Sequence, residues 1–257
     1  MSFAENIKQI INEELSISLN VEKVSLKIRD AILDKCTNIV SQCYNNVKYK
    51  EGHITYNIFD IDYDIHFKVY TNIDDTYSEK LYGCIYISEH RMDLNLCKIN
   101  GISFAPKFEN IIFHEVEHIY QYSLHKRDYL SDIKTLKLYN KILEIINIHN
   151  NENDLIIANA LFMSFEFEQD AMVHGLYGTL MNTNKEYLYD TYLHTDEHAF
   201  LEDMNYVLEH KDELDYTIFN ISKNKIISLI KNQYKRYLNK LMYVYQLVYN
   251  KKFYSGI

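Results

Sequence analysis

Three residues in an apolar stretch have the types and the spacing of a zinc site. His114, Glu115 and His118 form the pattern H-E-x-x-H within residues 111–120. On a helix, residues four positions apart lie on one face, so both imidazoles can bind one ion. Glu115 is placed to take a proton from water that the ion activates. We therefore predict that His114 and His118 bind Zn²⁺ and that Glu115 is the general base.

The motif by itself does not establish this site. In a chain with 11 histidines among 257 residues, chance produces H-E-x-x-H with odds of roughly a few per cent. The prediction therefore depends on the residues and elements around the motif.

A catalytic zinc ion takes three protein ligands, so the two histidines need a third donor. His125 lies one residue beyond the last histidine of the metzincin pattern H-E-x-x-H-x-x-G-x-x-H, so that pattern is not met. The acidic stretch of residues 164–171 is a better source, although helical geometry alone does not choose between Glu166 and Glu168. The remaining candidates downstream are Glu144, His149, Glu152, Asp170 and His174.

Residues 164–171 resemble the E-x-x-A-D or E-x-x-x-D element of gluzincins, which are zinc peptidases with a glutamate as third ligand. The resemblance implies that Glu166 binds the zinc ion. It also implies that Asp170, four residues later, holds a ligand histidine through its free N–H. That acid favours Glu166 over Glu168. Gln169 stands where the family has a small residue, which suggests a less close approach of the two helices.

The resemblance covers about residues 80–180. Within gluzincins, the chain is similar to the peptidase of phage-exclusion systems and to the ImmA-type peptidases of mobile elements. It implies a zincin fold, in which an antiparallel edge strand above the zinc ion holds the substrate backbone by strand addition. Residues 81–99 are expected to provide that strand.

A second motif competes with the first. His194, Glu197 and His198 form the inverted pattern H-x-x-E-H. Enzymes with that pattern take a glutamate far downstream as third ligand, but no glutamate follows Glu213. We therefore expect a secondary role at most. The candidates for stabilising an oxyanion are His174, His194, His198, Tyr177, Tyr189 and Tyr192.

The order of predicted elements suits a zinc site. Hydrophobic spacing predicts helices at residues 3–15 and 22–47, and alternation predicts strands within residues 53–69, 81–88 and 92–99. Pro106 suits the first turn of the motif helix, which is expected to run to about Leu124. Four helices are predicted after it. They cover residues 130–148, residues 154–181, a segment that Thr195 caps, and a last segment that begins near Ser222.

These elements predict an α+β, mostly helical fold with a small, mainly antiparallel sheet before the motif helix and an all-helical C-terminal part. We divide the chain into a helical region (1–50), the sheet with the motif helix (51–125) and a helical subdomain with the third ligand (126–257). The three parts are expected to form one catalytic unit.

Composition narrows the function. The net charge is −9 with scattered lysines and arginines, so nucleic acid is not an expected partner. We find no signal peptide and no apolar run long enough for a bilayer, so no membrane partner is expected. The four cysteines form no C-x-x-C pair, which favours a reducing compartment and a cytoplasmic protein.

The sequence thus predicts an intracellular zinc-dependent peptidase acting on a peptide or protein substrate. Two alternatives stay open. One is a zincin-like binding or regulatory protein of phage or mobile-element origin without turnover. The other is a structural helical protein in which the motif arose by chance.

Overall fold

The computed structural model describes residues 19–44, 47–70, 82–97, 107–125, 133–148 and 151–254, which form an α+β fold. The helix predicted at residues 3–15 and the role predicted for Pro106 lie outside these residues. The described part is mostly helical with one small sheet, as predicted.

Five strands form the sheet in the order β1-β2-β3-β5-β4. All neighbouring pairs are antiparallel except β3 and β5, which run parallel. The mainly antiparallel sheet is therefore confirmed. The strands are β1 (Gln42–Tyr44), β2 (Val47–Ile58), β3 (Ile61–Tyr70), β4 (Tyr82–Tyr86) and β5 (Arg91–Cys97).

One face of the sheet is apolar because buried residues alternate along the strands. On β3 the buried set is Tyr63, Ile65, Phe67 and Val69. A two-residue turn joins β2 to β3, and both of its residues have positive φ (50° and 69°). The sequence shows no glycine there.

Eight α-helices are described: α1 (Leu19–Thr37), α2 (Lys107–His125), α3 (Ile133–Ile148), α4 (Glu152–Phe162), α5 (Glu166–Asn182), α6 (Leu188–Leu193), α7 (Asp196–Glu209) and α8 (Lys223–Tyr254). Helix α2 carries the H-E-x-x-H motif. Thr195 caps α7, and its side chain accepts a hydrogen bond from the His198 N–H at 3.3 Å, as predicted.

The predicted helix at residues 22–47 is wrong in its second half. Helix α1 ends at Thr37, and β1 and the start of β2 follow. Lys50 of β2 donates a hydrogen bond to the carbonyl of Cys36 in the last turn of α1. A side chain from the sheet thus provides a donor for one of the backbone carbonyls left free at the end of the helix. The helical spacing of apolar residues after Thr37 is coincidental.

Two apolar clusters meet at the motif helix. Ile112 and Val116 of α2 pack with α1 and the buried face of the sheet. Phe113 of the same helix packs into a second cluster that helices α3 to α8 build. Helix α2 therefore lies between the sheet and the helical part. No described helix combines the length and apolarity needed to cross a membrane.

Candidate metal centre

The two histidines of the motif lie on one face of α2, as helical geometry predicts. Their rings meet edge to face with centroids 4.7 Å apart, and their Nε2 atoms are 3.1 Å apart. Both side chains keep a minor exposed fraction, 16% for His114 and 19% for His118. They are therefore accessible enough for a small ion to reach them.

Glu168 of α5 completes a group of three donors. Its Oε2 atom lies 3.4 Å from Nε2 of His118 and 3.7 Å from Nε2 of His114. In a tetrahedral zinc site with bonds of about 2.0–2.2 Å, ligand atoms are separated by about 3.3–3.6 Å. The three separations here are close to that spacing. His₂Glu is also the donor set of many catalytic zinc sites.

The two oxygens of Glu168 differ in their surroundings. Oε1 accepts a hydrogen bond from the Tyr139 hydroxyl at 2.6 Å. Oε2 is buried and has no well-aligned hydrogen-bond donor among the described residues, and its polar neighbours are the two imidazoles at 3.4 and 3.7 Å. A buried carboxylate oxygen without a donor is costly unless a cation or a proton serves it. The group of His114, His118 and Glu168 could therefore hold a metal ion.

Glu166, the predicted third ligand, lies elsewhere. It is the first residue of α5, is half exposed, and forms an ion pair with Arg236 of α8. The structure therefore brings Glu168, and not Glu166, to the two histidines. Helical geometry does not choose between these two glutamates, and the prediction of Glu166 follows from the gluzincin resemblance alone.

The helix predicted at residues 154–181 is broken, and the face that Glu166 occupies on its second part is turned to another helix. Helix α4 ends at Phe162 and α5 begins at Glu166. The Ser164 hydroxyl donates to the Leu161 carbonyl at 2.6 Å, and the Gln169 amide donates to the Met163 carbonyl at 2.6 Å. These side chains satisfy the carbonyls at the break. Glu166 and Asp170 still lie one turn apart on one face of α5, but that face meets Arg236 and Lys240 of α8. Glu168 lies on the face of α5 that meets the motif histidines.

Asp170 also has a different partner from the one predicted. Its carboxylate pairs with Lys240 of α8, whose side chain is almost fully buried. Its backbone carbonyl accepts a hydrogen bond from Nδ1 of His174 at 2.9 Å. Asp170 thus joins α5 to α8, and its carboxylate faces Lys240 rather than a motif histidine.

Two glycines of α5 let this helix come close to α2. A Cβ at Gly178 would lie 2.9 Å from the Phe113 ring, and one at Gly175 would lie 3.1 Å from Asn110. The close approach of the two helices therefore occurs about two turns after Gln169. It brings Glu168, near the start of α5, within reach of the motif histidines.

Glu115 is buried beside the group. Burial raises its pKa to about 7, with the positive charge of His118 opposing and the negative charge of Glu168 adding to this shift. A carboxyl with such a pKa exchanges its proton near neutral pH, which suits a general base.

The edge strand passes next to this carboxylate. Strand β4 is the last strand of the sheet and pairs with β5 on one side. A Cβ on Gly83 would overlap the Glu115 carboxylate. Only glycine gives this strand room beside Glu115. The predicted strand at residues 81–88 therefore lies beside the motif.

The pKa values of the two motif imidazoles shift in opposite directions. Burial lowers the pKa of His114 to about 3, and the charge of His118 acts in the same direction. Burial also disfavours the charged form of His118, but the Glu168 carboxylate outweighs it and raises the pKa to about 9. A proton on His118 thus balances the charge of Glu168, and a cation bound at this group would have to displace that proton.

The competing motif does not gather into a site within the described residues. His194 is exposed and its Nδ1 bonds to the Asp190 carbonyl at 2.7 Å. His198 lies 3.8 Å from Glu202. Glu197 turns inward and accepts a hydrogen bond from Asn110 of α2 at 2.7 Å. Glu197 is therefore a link between helices.

The other predicted oxyanion candidates have partners of their own. His174 is buried between α2 and α5, 3.4 Å from Glu117. Tyr177 donates to Glu22 of α1 at 2.8 Å. Tyr192 packs on the His198 ring, and Tyr189 is exposed. Nothing in these contacts assigns an oxyanion role to one of them.

Tyr139 was missed. In the sequence it is one apolar-spaced residue of the helix at 130–148, where it looks like a packing residue. Its contact with Glu168 joins residues 29 positions apart on two helices. No sequence motif signals such a pair.

Comparisons with known proteins give no relative for this arrangement: no family model, curated protein or solved structure matches the chain.

Proposed function

We propose that this protein is a zinc-dependent peptidase in which His114, His118 and Glu168 hold the ion. One observation carries the proposal: three donor atoms converge at tetrahedral spacing, and the Glu168 Oε2 atom is buried without a well-aligned hydrogen-bond donor among the described residues. With Glu168 as the third ligand in the role predicted for Glu166, the donor set is still the two histidines and one glutamate that the gluzincin resemblance implies.

Glu115 is the general base in this proposal. A zinc ion held by these three residues would be a Lewis acid, able to lower the pKa of a water molecule and polarise the scissile carbonyl. Glu115 takes the proton of the attacking water and later gives it to the leaving amine nitrogen. Its buried position beside the two histidines suits both transfers.

Strand β4 is the proposed support for the substrate backbone. Its side away from β5 has no partner strand in the described sheet. An extended peptide can add to such an edge through main-chain hydrogen bonds. Because Gly83 lies against Glu115, this edge would bring a peptide bond near the base.

The test compares Glu115→Gln with the wild-type protein. Both should bind one zinc ion per chain by elemental analysis. Wild type should cleave members of a library of synthetic unstructured peptides, with products identified by mass spectrometry, and a chelator should stop it. The variant should lose at least about 100-fold in kcat/KM, because proton transfer contributes about 10²–10⁴-fold.

Glu117→Gln is the matched control, because Glu117 is also a buried acid of α2, two residues further along. Burial raises its pKa to about 8, so glutamine resembles the form it has at neutral pH. This variant should keep its zinc and its activity. Full activity in Glu115→Gln would contradict the mechanism. If zinc-loaded wild type cleaves no peptide, the proposed peptidase activity is wrong and the protein binds metal without turnover.

A further inference from the structure

Tyr139 of α3 makes a short hydrogen bond to the proposed third ligand. Its hydroxyl donates to Oε1 of Glu168 at 2.6 Å, while Oε2 faces the two imidazoles. We propose that Tyr139 is a positioning residue that reserves Oε1 and presents Oε2 alone to the metal ion. This inference rests on the proposed zinc site.

Aromatic neighbours hold the Tyr139 ring in place. Phe162 of α4 stacks on it at 5.9 Å between centroids, and Phe165 meets it edge to face at 5.3 Å. Phe167 lies at 5.6 Å from it and at 6.1 Å from the His118 ring. With the ring packed on three sides, the hydroxyl direction is set before any ion binds.

The consequence concerns coordination number. A free carboxylate can bind a cation through one oxygen or both. A donor fixed on Oε1 favours binding through Oε2 only, so the ion keeps an open position for water. The same bond satisfies an oxygen of a side chain that is only 3% exposed.

The experiment measures metal binding, not activity. Zinc affinity of Tyr139→Phe is determined by competition with a chromophoric chelator and should fall about 10- to 100-fold, the usual cost of losing a residue that orients a ligand. The Co²⁺-loaded variant should show weaker visible absorption than Co²⁺-loaded wild type, because five-coordinate cobalt absorbs less than four-coordinate cobalt. Tyr237→Phe is the control: its hydroxyl is buried and bonded to a backbone carbonyl at 3.0 Å, and it should change neither readout.

The outcomes separate this inference from the proposed function. If wild type binds no zinc, the proposed site is wrong. If wild type binds zinc and Tyr139→Phe matches it in affinity and cobalt spectrum, only the role of Tyr139 is wrong. A crystal structure of the zinc-loaded wild type decides the matter without a variant. It should show Oε2 at about 2.0–2.2 Å from zinc and Oε1 bonded to Tyr139. Bidentate binding by Glu168 would overturn the inference.

Discussion

Burial separates the two glutamates at the start of α5. The Glu168 side chain is 3% exposed, whereas that of Glu166 is 52% exposed and pairs with Arg236. A carboxylate in the interior must have cations or donors around it, and an exposed one is served by water. The two glutamates are only two positions apart, but they point to different sides of the helix. Glu168 therefore faces the proposed metal ion, and Glu166 belongs to a surface ion pair.

Glu168→Gln should weaken zinc binding by more than about 100-fold, which exceeds the usual effect of losing a supporting residue. An amide is a far poorer zinc ligand than a carboxylate. Glu166→Gln is the matched control, and it should bind zinc as wild type does. Both are measured by chelator competition. The opposite result, with Glu166→Gln losing zinc, would restore the ligand that the resemblance implies.

At the scale of elements, α8 holds α5 through two ion pairs one helical turn apart. Lys240 pairs with Asp170, and Arg236 pairs with Glu166. The two pairs differ in solvent exposure. The pair of Lys240 and Asp170 contains a buried lysine, whereas the pair of Arg236 and Glu166 contains a half-exposed glutamate. Since α5 carries Glu168, this contact also fixes where the proposed third ligand stands relative to α2.

Lys240→Met should reduce the free energy of unfolding by about 3 kcal/mol, because it leaves the Asp170 carboxylate without its cation. Arg236→Met should cost at most about 1 kcal/mol, as exposed ion pairs contribute little. Urea unfolding measures both. Changing Asp170 to Asn together with Lys240→Met should recover part of the loss, because neither charge then stays buried alone. Equal losses for the two single variants would contradict this account.

At the scale of the whole molecule, Glu197 connects helices from distant parts of the chain. It is fully buried at the start of α7 and accepts a hydrogen bond from Asn110 of α2, whose amide also reaches Thr179 of α5. Tyr237 of α8 donates to the Glu197 backbone carbonyl at 3.0 Å. Burial raises the pKa of this carboxyl to about 7, and Asp196 adds to the shift.

The raised pKa makes stability depend on pH. Below the unfolded-state pKa of 4.5, Glu197 is protonated in both states, and its contribution is fully present. Between that pH and about 7 only the folded state keeps the proton, so stability falls as pH rises, by about 3 kcal/mol in total. Above about pH 7 the contribution is lost.

Glu197→Gln imitates the protonated carboxyl and should lack this dependence. From pH 5 to pH 8, the free energy of unfolding of the variant should therefore rise relative to wild type by about 2.5 kcal/mol. Other buried acids titrate alike in both proteins, so the difference isolates Glu197. A difference that stays constant across this range would show that Glu197 does not titrate as described.

Periodicity predicted most of the fold. The alternation on β3, the helical spacing on α2 and the cap at Thr195 are local patterns, and each is present in the structure. The prediction failed at helix ends, where side-chain hydrogen bonds to backbone carbonyls decide and the spacing of apolar residues does not. Helix α1 ends where Lys50 of the sheet meets its last turn, and the break before α5 depends on side chains that bond to nearby carbonyls.

The candidate site divides in the same way. His114, Glu115 and His118 belong to one helix, and the repeat of that helix places both imidazoles on one face from the sequence alone. Glu168, Tyr139 and the edge strand with Gly83 reach the site from other elements. Their positions depend on where α5 begins and on how closely it packs on α2. Tertiary packing sets both, because contacts between distant residues outweigh local preference.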